Sequence, residues 1–348
     1  MRVKSISIFA LAVAALSACH SVDDYDGGVY GNFDALWTVV DEHYCFFNEK
    51  DIDWEAVGRK YRSRIDTEMT NVEYFALLGS MLDELRDGHV NLTSSFNTSY
   101  YRRWWSDYPQ NFDERLVQQY YLEFDYSQSG PLSYKVLHDS VGYMRVSTMA
   151  AGIADGALDM SLLGFAEADC MSLVIDVRDN GGGMMTTAEK LVSRFISGPT
   201  LAGYISHKTG PGHDDFSEPY PFSYDTAEGH VRWLRPVVIL TNRSTFSAAN
   251  NFVSIMRLLP NVRIVGDTTG GGSGMPFSSE IPCGWGVRMS ACPVYDAEMK
   301  LTEHGVAPSP GCHIDLDPVK ALDGTDTMLD FALDLAADWR EWYEKTDR

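Results

Sequence analysis

Apolar residues recur along this chain with two different periods, and the change between them divides it. Between residues 31 and 92 the spacing is helical: Phe33, Leu36, Trp37, Val40 and Tyr44 share one face. A second helix is expected from Trp54, capped by Asp53. A third follows Asn71, with Tyr74, Phe75, Leu78, Met81, Leu82 and Leu85 in phase. Gly88 is its expected stop, which leaves His89 exposed just beyond, before a short strand at Val90 and Leu92. From residue 134 the pattern changes to short β-branched runs alternating with helices. Strands are predicted at 134–136, 141–146, 173–177, 237–240 and 262–265, and helices at 153–166, 184–195 and 247–259. Runs without polar alternation suit strands buried on both faces, and strand–helix–strand order implies parallel crossovers.

The remaining stretches are punctuation. Residues 93–133 are dense in aromatics and arginines, a cap or linker that packs as an amphipathic surface or lines a groove, and the Ser-Gly-Pro run at 127–131 closes it. Residues 198–229 read as a loop rich in Gly, Pro and His, 270–274 as a flexible glycine segment, and 281–294 as an antiparallel hairpin. A turn at 303–308 and a closing helix at 328–343 complete the chain. The fold class is therefore α/β: a parallel-sheet core over 134–345, an N-terminal helical subdomain over 31–92, and a β-hairpin.

Two turns in this pattern carry candidate chemistry. Ser247 falls at the N-terminus of a helix and the carboxyl end of a buried strand, where open α/β sheets place ligands. Serine is also a favoured helix cap, which explains the residue equally well by itself. Gly181, Gly182 and Gly183 likewise follow a strand and open a helix, so successive N–H groups can converge on an anion. A phosphate loop would need Lys where Met184 and Met185 stand. The other readings are an oxyanion hole, built from Ala248 N–H with Gly182 or Gly183 N–H, and simple tight-turn packing.

Composition narrows the partners. With 49 acidic against 28 basic residues the net charge is -21, and no basic stripe offsets it; nucleic-acid binding is excluded on that ground. Arg2, Lys4 and the apolar run from Ile6 to Leu16 form a signal peptide (residues 1–18) too short to span a bilayer. Its end, Leu16-Ser17-Ala18-Cys19, resembles the lipobox of bacterial lipoproteins. That resemblance implies acylation of Cys19, a flexible tether over 19–30, and a membrane-anchored protein of the cell envelope. The outer membrane is the expected site, with the body facing the periplasm or the surface. Five further cysteines permit at most two disulfides, Cys283 with Cys292 being one possibility, and no Cys/His spacing suggests a metal.

Four motifs then occur in one order: LRDGHVNL (85–92), VIDVRDNGGG (174–183), the Ser247 block with GDTTGG (266–271), and EHGVAPS (303–309). This order resembles the tail-specific serine peptidases of family S41, which include C-terminal processing peptidases and the tricorn core protease. The resemblance implies a ClpP/crotonase-like core and peptide-bond hydrolysis through an acyl-enzyme. Substrates would be peptides or unfolded proteins, and no cofactor or metal is implied. One branch of the family activates its serine with a lysine some 25 residues downstream. Here that place is GGGSG, and the first lysine after Ser247 is Lys300. The tricorn-like branch uses a histidine from the helical subdomain, a role that matches His89 as general base. Glu303 matches the carboxylate that orients the base, with Asp87 as the runner-up. The serine that precedes the histidine in tricorn is Gly88 here, and Ser94 or Ser95 are the nearest replacements. Asp176 and Arg178 read as structural partners. A reference imidazole pKa would make reactivity fall below about pH 6. The family often carries a PDZ module, for which 93–133 is too short. The alternative is a non-catalytic peptide- or ligand-binding lipoprotein on the same fold. The resemblance implies either endopeptidase or carboxy-terminal-acting cleavage.

Overall fold

The computed structural model describes residues 25–138 and 140–346, arranged on two six-stranded sheets. The signal peptide and Cys19 lie outside the described residues. Helices α1 (Val29–His43), α2 (Trp54–Arg62) and α3 (Asn71–Asp83) come first. Strands β1 (Asn91–Thr93) and β2 (Thr98–Tyr100) follow, then short helices α4 (Arg103–Ser106) and α5 (Glu114–Leu116), the latter continuing as a π-helical turn, Val117–Tyr121. Next come β3 (Ser127–Ser129), β4 (Leu132–Leu137), β5 (Val141–Val146), α6 (Asp155–Glu167), β6 (Ser172–Asp176), α7 (Met185–Ser193), β7 (Thr200–Ile205) and β8 (Tyr220–Tyr224). The chain ends with β9 (Val237–Thr241), α8 (Ala248–Met256), β10 (Val262–Gly266), β11 (Gly274–Glu280), β12 (Gly286–Tyr295), α9 (Pro318–Leu322) and α10 (Thr327–Thr346).

The first sheet runs β10-β9-β6-β5-β4-β3, its first four strands parallel and the last two antiparallel. The uninterrupted apolar runs follow from burial on both faces. Leu173, Ile175, Val237 and Ile239 point into the core shared with α6, α7 and α8, whereas Val174, Val238 and Leu240 point toward α10. Among the described residues no helix is long and apolar enough to cross a membrane.

The second sheet is antiparallel, β2-β1-β12-β7-β8, with β11 also paired to β12. Leu36 and Val40 of α1 and Leu78, Met81 and Leu82 of α3 pack against Trp285, Val287 and Met289. The N-terminal helices thus take part of their core from a hairpin near the other end of the chain, which is what carries the α3–β1 loop to the parallel sheet.

Several expectations are corrected. Helix α3 stops at Asp83, and it is Arg86, at φ 49°, that adopts the left-handed turn rather than Gly88. Gly88 is small for another reason: a Cβ there would lie 2.5 Å from Trp104 Nε1 and 3.0 Å from Phe246 Cζ. Residues 127–131 form a hairpin with Gly130 at φ 57°, so they belong to the first sheet. The loop expected over 198–229 contains β7 and β8; Gly203 sits at a register shift and Pro221 on an edge strand, positions a sheet tolerates. Residues 270–274 are buried and bonded rather than flexible, with Gly271 bridged to Phe246. The hairpin begins at Gly274, so Cys283 lies in its turn while Cys292 faces Met275 at the far end. They cannot bridge, and all five described cysteines are free.

Candidate active site

The carboxyl ends of β6 and β9 lie side by side, and the turns that leave them are tied together. Thr245 donates from Oγ1 to Val177 O (2.8 Å) and accepts the N–H of Asn242 (3.2 Å). Phe246 N–H donates to Asn180 O (3.0 Å) and Ser247 N–H to Gly271 O (2.8 Å). Held from both sides, Ser247 sits at φ 56°, ψ −121°, a backbone state that costs a non-glycine residue on the order of 1–3 kcal/mol. Its side chain makes no capping bond to α8. The capping explanation fails, because Oγ lies 2.9 Å from His89 Nε2 instead.

His89 comes from the α3–β1 loop. Its N–H donates to Asp87 Oδ1 (2.8 Å), and Asp87 Oδ2 accepts from Tyr44 OH (3.1 Å). The ring tilts against Phe246 at 4.8 Å, and Phe246 stacks on Trp104 at 4.2 Å. Trp104 of the aromatic segment therefore backs the phenyl ring that packs on the imidazole. Expected to be exposed, His89 is only 4% exposed. Burial pushes its pKa down to about 4; Asp87 opposes this, and Arg288 and Lys50 reinforce it.

The carboxylates stand elsewhere than expected. Glu303 makes no hydrogen bond to the imidazole: Oε1 accepts from Lys50 Nζ (2.8 Å) and Oε2 from Ser273 N–H (2.8 Å). Lys50 Nζ also lies 3.5 Å from Asp87 Oδ2, so one buried ammonium serves two buried carboxylates. Burial and the charge of Asp87 push Glu303 up to about 7. Burial also works against the charge on Asp87, but Lys50 and His89 outweigh it and hold that carboxyl below its usual range. Lys50 is likewise penalised by burial, yet Asp87 and Glu303 raise its pKa. Sequence reasoning missed Lys50, whose one signal was a lysine set among Tyr44, Phe46, Phe47 and Ile52.

Nor does the orienting serine have its expected replacement. Ser94 Oγ donates to Asn97 O and accepts Asn97 N–H within its own turn, and Ser95 is exposed. Among the described residues His89 Nδ1 and the hydroxyl of Ser273 are buried without a partner.

The glycine turn supplies donors. Gly182 N–H is taken by Asn180 Oδ1 (3.0 Å). Gly183 N–H and Ala248 N–H have no partner among the described residues, so of the two glycines Gly183 is the open donor. Gly182 and Gly183 adopt φ 90° and 144°. A Cβ on Gly182 would lie 2.5 Å from Phe246 O and 2.8 Å from Ala248 N, and one on Gly183 2.1 Å from Ala150 N. Behind this turn Arg178 is fully buried between Asp176 (2.7 Å) and Asp326 (2.8 Å), a structural tie to the start of α10. A cavity of about 320 Å³ opens beside Ser247, walled by Gly183, Met184, Met185, Asn251, Met275 and Arg288 among others. A hydroxyl, a neutral base and two free N–H groups at the mouth of a cleft are the parts that acyl transfer needs.

Comparison with known proteins places the chain among peptidases. The model of peptidase family S41 matches residues 140–309, and that of the tricorn protease C1 domain matches residues 30–83. A crystal structure from Parabacteroides merdae ATCC 43184, provisionally described as a peptidase, is 43% identical with a TM-score of 0.83, over 89% of this chain and 97% of that one. A CPAF S499A mutant is similar in fold at 11% identity and TM-score 0.68, over 90% and 98% of the two chains. The photosystem II D1 C-terminal processing protease is similar in fold at 13% identity and TM-score 0.53, over 85% and 95%. With Gly183, Ser247 and Glu303 inside the matched region, the chain belongs to peptidase family S41, whose members act on peptides or proteins.

Proposed function

We propose that this peptidase is of the serine type, with Ser247 as nucleophile and His89 as general base, in the tricorn-like branch. The observation that carries the reading is the 2.9 Å contact between Ser247 Oγ and His89 Nε2, made by a serine held in a strained backbone state and not used as a cap. His89 Nε2 takes the hydroxyl proton as Oγ attacks the peptide carbonyl carbon. The oxyanion is received by the N–H groups of Gly183 and Ala248. As the tetrahedral adduct collapses, the C–N bond breaks and His89 returns its proton to the leaving amine. Water, deprotonated by the same imidazole, then releases the acyl group and restores Ser247. Glu303 acts at a distance, through Lys50 and Asp87, by fixing the loop that presents His89. Lys50 does not compete for the role of base, since its Nζ is committed to its carboxylates.

An active-site-directed fluorophosphonate is expected to label the chain. Ser247→Ala should abolish labelling, and His89→Ala should slow it by roughly 10²–10⁴-fold. Labelling that persists in Ser247→Ala, or is untouched by His89→Ala, removes the named residue from the mechanism. The lipobox-like end of the N-terminal segment supports placing this activity at the cell envelope, on a lipid anchor at Cys19. Membrane fractionation should then find the full chain with the membranes and Cys19→Ala released from them; a soluble wild type would refute the anchor.

A further inference from the structure

Beside the reacting pair stands a charge that the mechanism leaves unused. Arg288 lies on β12 and reaches the wall of the cavity that holds Ser247. Its cross-strand neighbours are neutral, Asn91 on β1 and Ser278 on β11. Other arginines in this acidic chain have found carboxylates: Arg62 pairs with Asp34, Arg145 with Glu114, Arg178 with Asp176, Arg194 with Asp159 and Arg257 with Asp296. Arg288 has no ion pair among the described residues. Among the described residues Asp87 is the one acidic group acting on it, does so from beyond contact distance and is already bound to Tyr44 and to His89 N–H.

The surroundings favour a visiting anion. Met184, Met185, Met275, Pro276 and Val294 make the cavity largely apolar, and Met184 and Met275 remain exposed at its rim. Burial already lowers the pKa of Arg288, so part of its hydration has been removed before any ligand arrives. A guanidinium in that state presents a rigid fork of donors that matches a carboxylate, and the low polarity around it strengthens the pair. The cavity is continuous with Ser247 and the open N–H of Gly183, so whatever fills it adjoins the bond under attack.

We infer that Arg288 is a specificity-determining residue that selects peptides bearing a carboxylate next to the bond presented to Ser247, whether on a side chain or at a free C-terminus. The inference rests on the serine-peptidase reading for its substrate. It is tested with three otherwise identical fluorogenic peptides: a neutral one amidated at its end, one with Glu beside the scissile bond and amidated, and a neutral one ending in a free carboxylate just past that bond.

With the wild-type chain, kcat/KM for at least one carboxylate peptide should exceed that for the neutral peptide by roughly tenfold or more, the size expected of a charge-assisted bond. Which of the two exceeds it identifies the source of the carboxylate. In Arg288→Gln this ratio should collapse toward one, and Arg288→Lys should restore part of it. A wild-type ratio near one, or a ratio unchanged in Arg288→Gln, overturns the inference. The same ratios are read as peptide affinities on Ser247→Ala by calorimetry, where no turnover is needed. If no peptide is cleaved, the serine-peptidase reading fails while the affinities still decide the role of Arg288.

Discussion

A hydroxyl near a ring nitrogen is an everyday contact, and Ser247 and His89 differ from it in how each is held. The serine is fixed by its own N–H on Gly271 O and by its neighbour's on Asn180 O. The imidazole is fixed through its backbone, by Asp87 Oδ1, and through its face, by Phe246. Its burial also changes when it can act. A base must be neutral, and the neutral fraction falls as pH drops through the folded pKa. With that pKa at about 4, the rate of fluorophosphonate labelling should stay level from neutral pH to about pH 5 and halve near pH 4. An unperturbed histidine would instead halve near 6.5. Unfolded His89 takes up its proton first, so this residue withdraws stability as pH falls from about 6.5 to about 4. Circular dichroism on the same samples separates protonation from unfolding. A half-maximal rate near pH 6.5 with the fold intact would show that the imidazole is solvated in solution.

At the scale of elements, the turn between β6 and α7 explains which parts of the site could be read from sequence. The turn shows as a glycine run after an apolar strand, and Ser247 shows as a polar turn after another, because each of these elements is local. Pairing Ser247 with His89 across 158 residues required the order of four motifs, since no local period encodes it. Lys50 and Trp104 take their roles from residues distant in sequence, Asp87, Glu303 and Phe246, so the chain shows a lysine near aromatics and an aromatic-rich stretch but not the contacts that give either one its function. Strands β7 and β8 were hidden because glycine and proline, read as loop formers, occupy a register shift and an edge. The roles of Gly182 and Gly183 could not be separated either, because Asn180 Oδ1 claims one N–H and leaves the other. Gly182→Ala tests the turn as a unit. The added methyl meets Phe246 O and the Ala248 N–H side of the pocket, in a backbone state at φ 90° that alanine rarely adopts. Peptide turnover should fall by roughly 10²-fold or more, the cost of losing one oxyanion donor. Retention of more than about a tenth of wild-type kcat would place the oxyanion elsewhere.

At the scale of the whole molecule, the N-terminal helices, the hairpin and the parallel sheet must meet for His89 to reach Ser247, and the Lys50 cluster lies at that meeting point. Lys50 follows α1, Asp87 follows α3, and Glu303 follows β12 with its second oxygen on Ser273. Such a cluster need not be more stable than an apolar one, but removing its cation leaves two carboxylates buried without a counter-charge. Lys50→Met should therefore cost about 3–5 kcal/mol in urea unfolding, together with most of the peptidase activity as the His89 loop relaxes. The pH dependence of that cost identifies its origin. Without the ammonium, the already raised folded pKa of Glu303 rises further, and Asp87 loses the attraction that holds it below its usual range, so its folded pKa rises as well. Stability that is present while the carboxyls are protonated is then lost as pH rises through the folded pKa values. The deficit of Lys50→Met against wild type should accordingly be larger at about pH 8 than at about pH 5, and Lys50→Met/Glu303→Gln should recover part of it at the higher pH. Equal deficits at the two pH values would mean that Lys50 contributes packing through its aliphatic stem rather than charge.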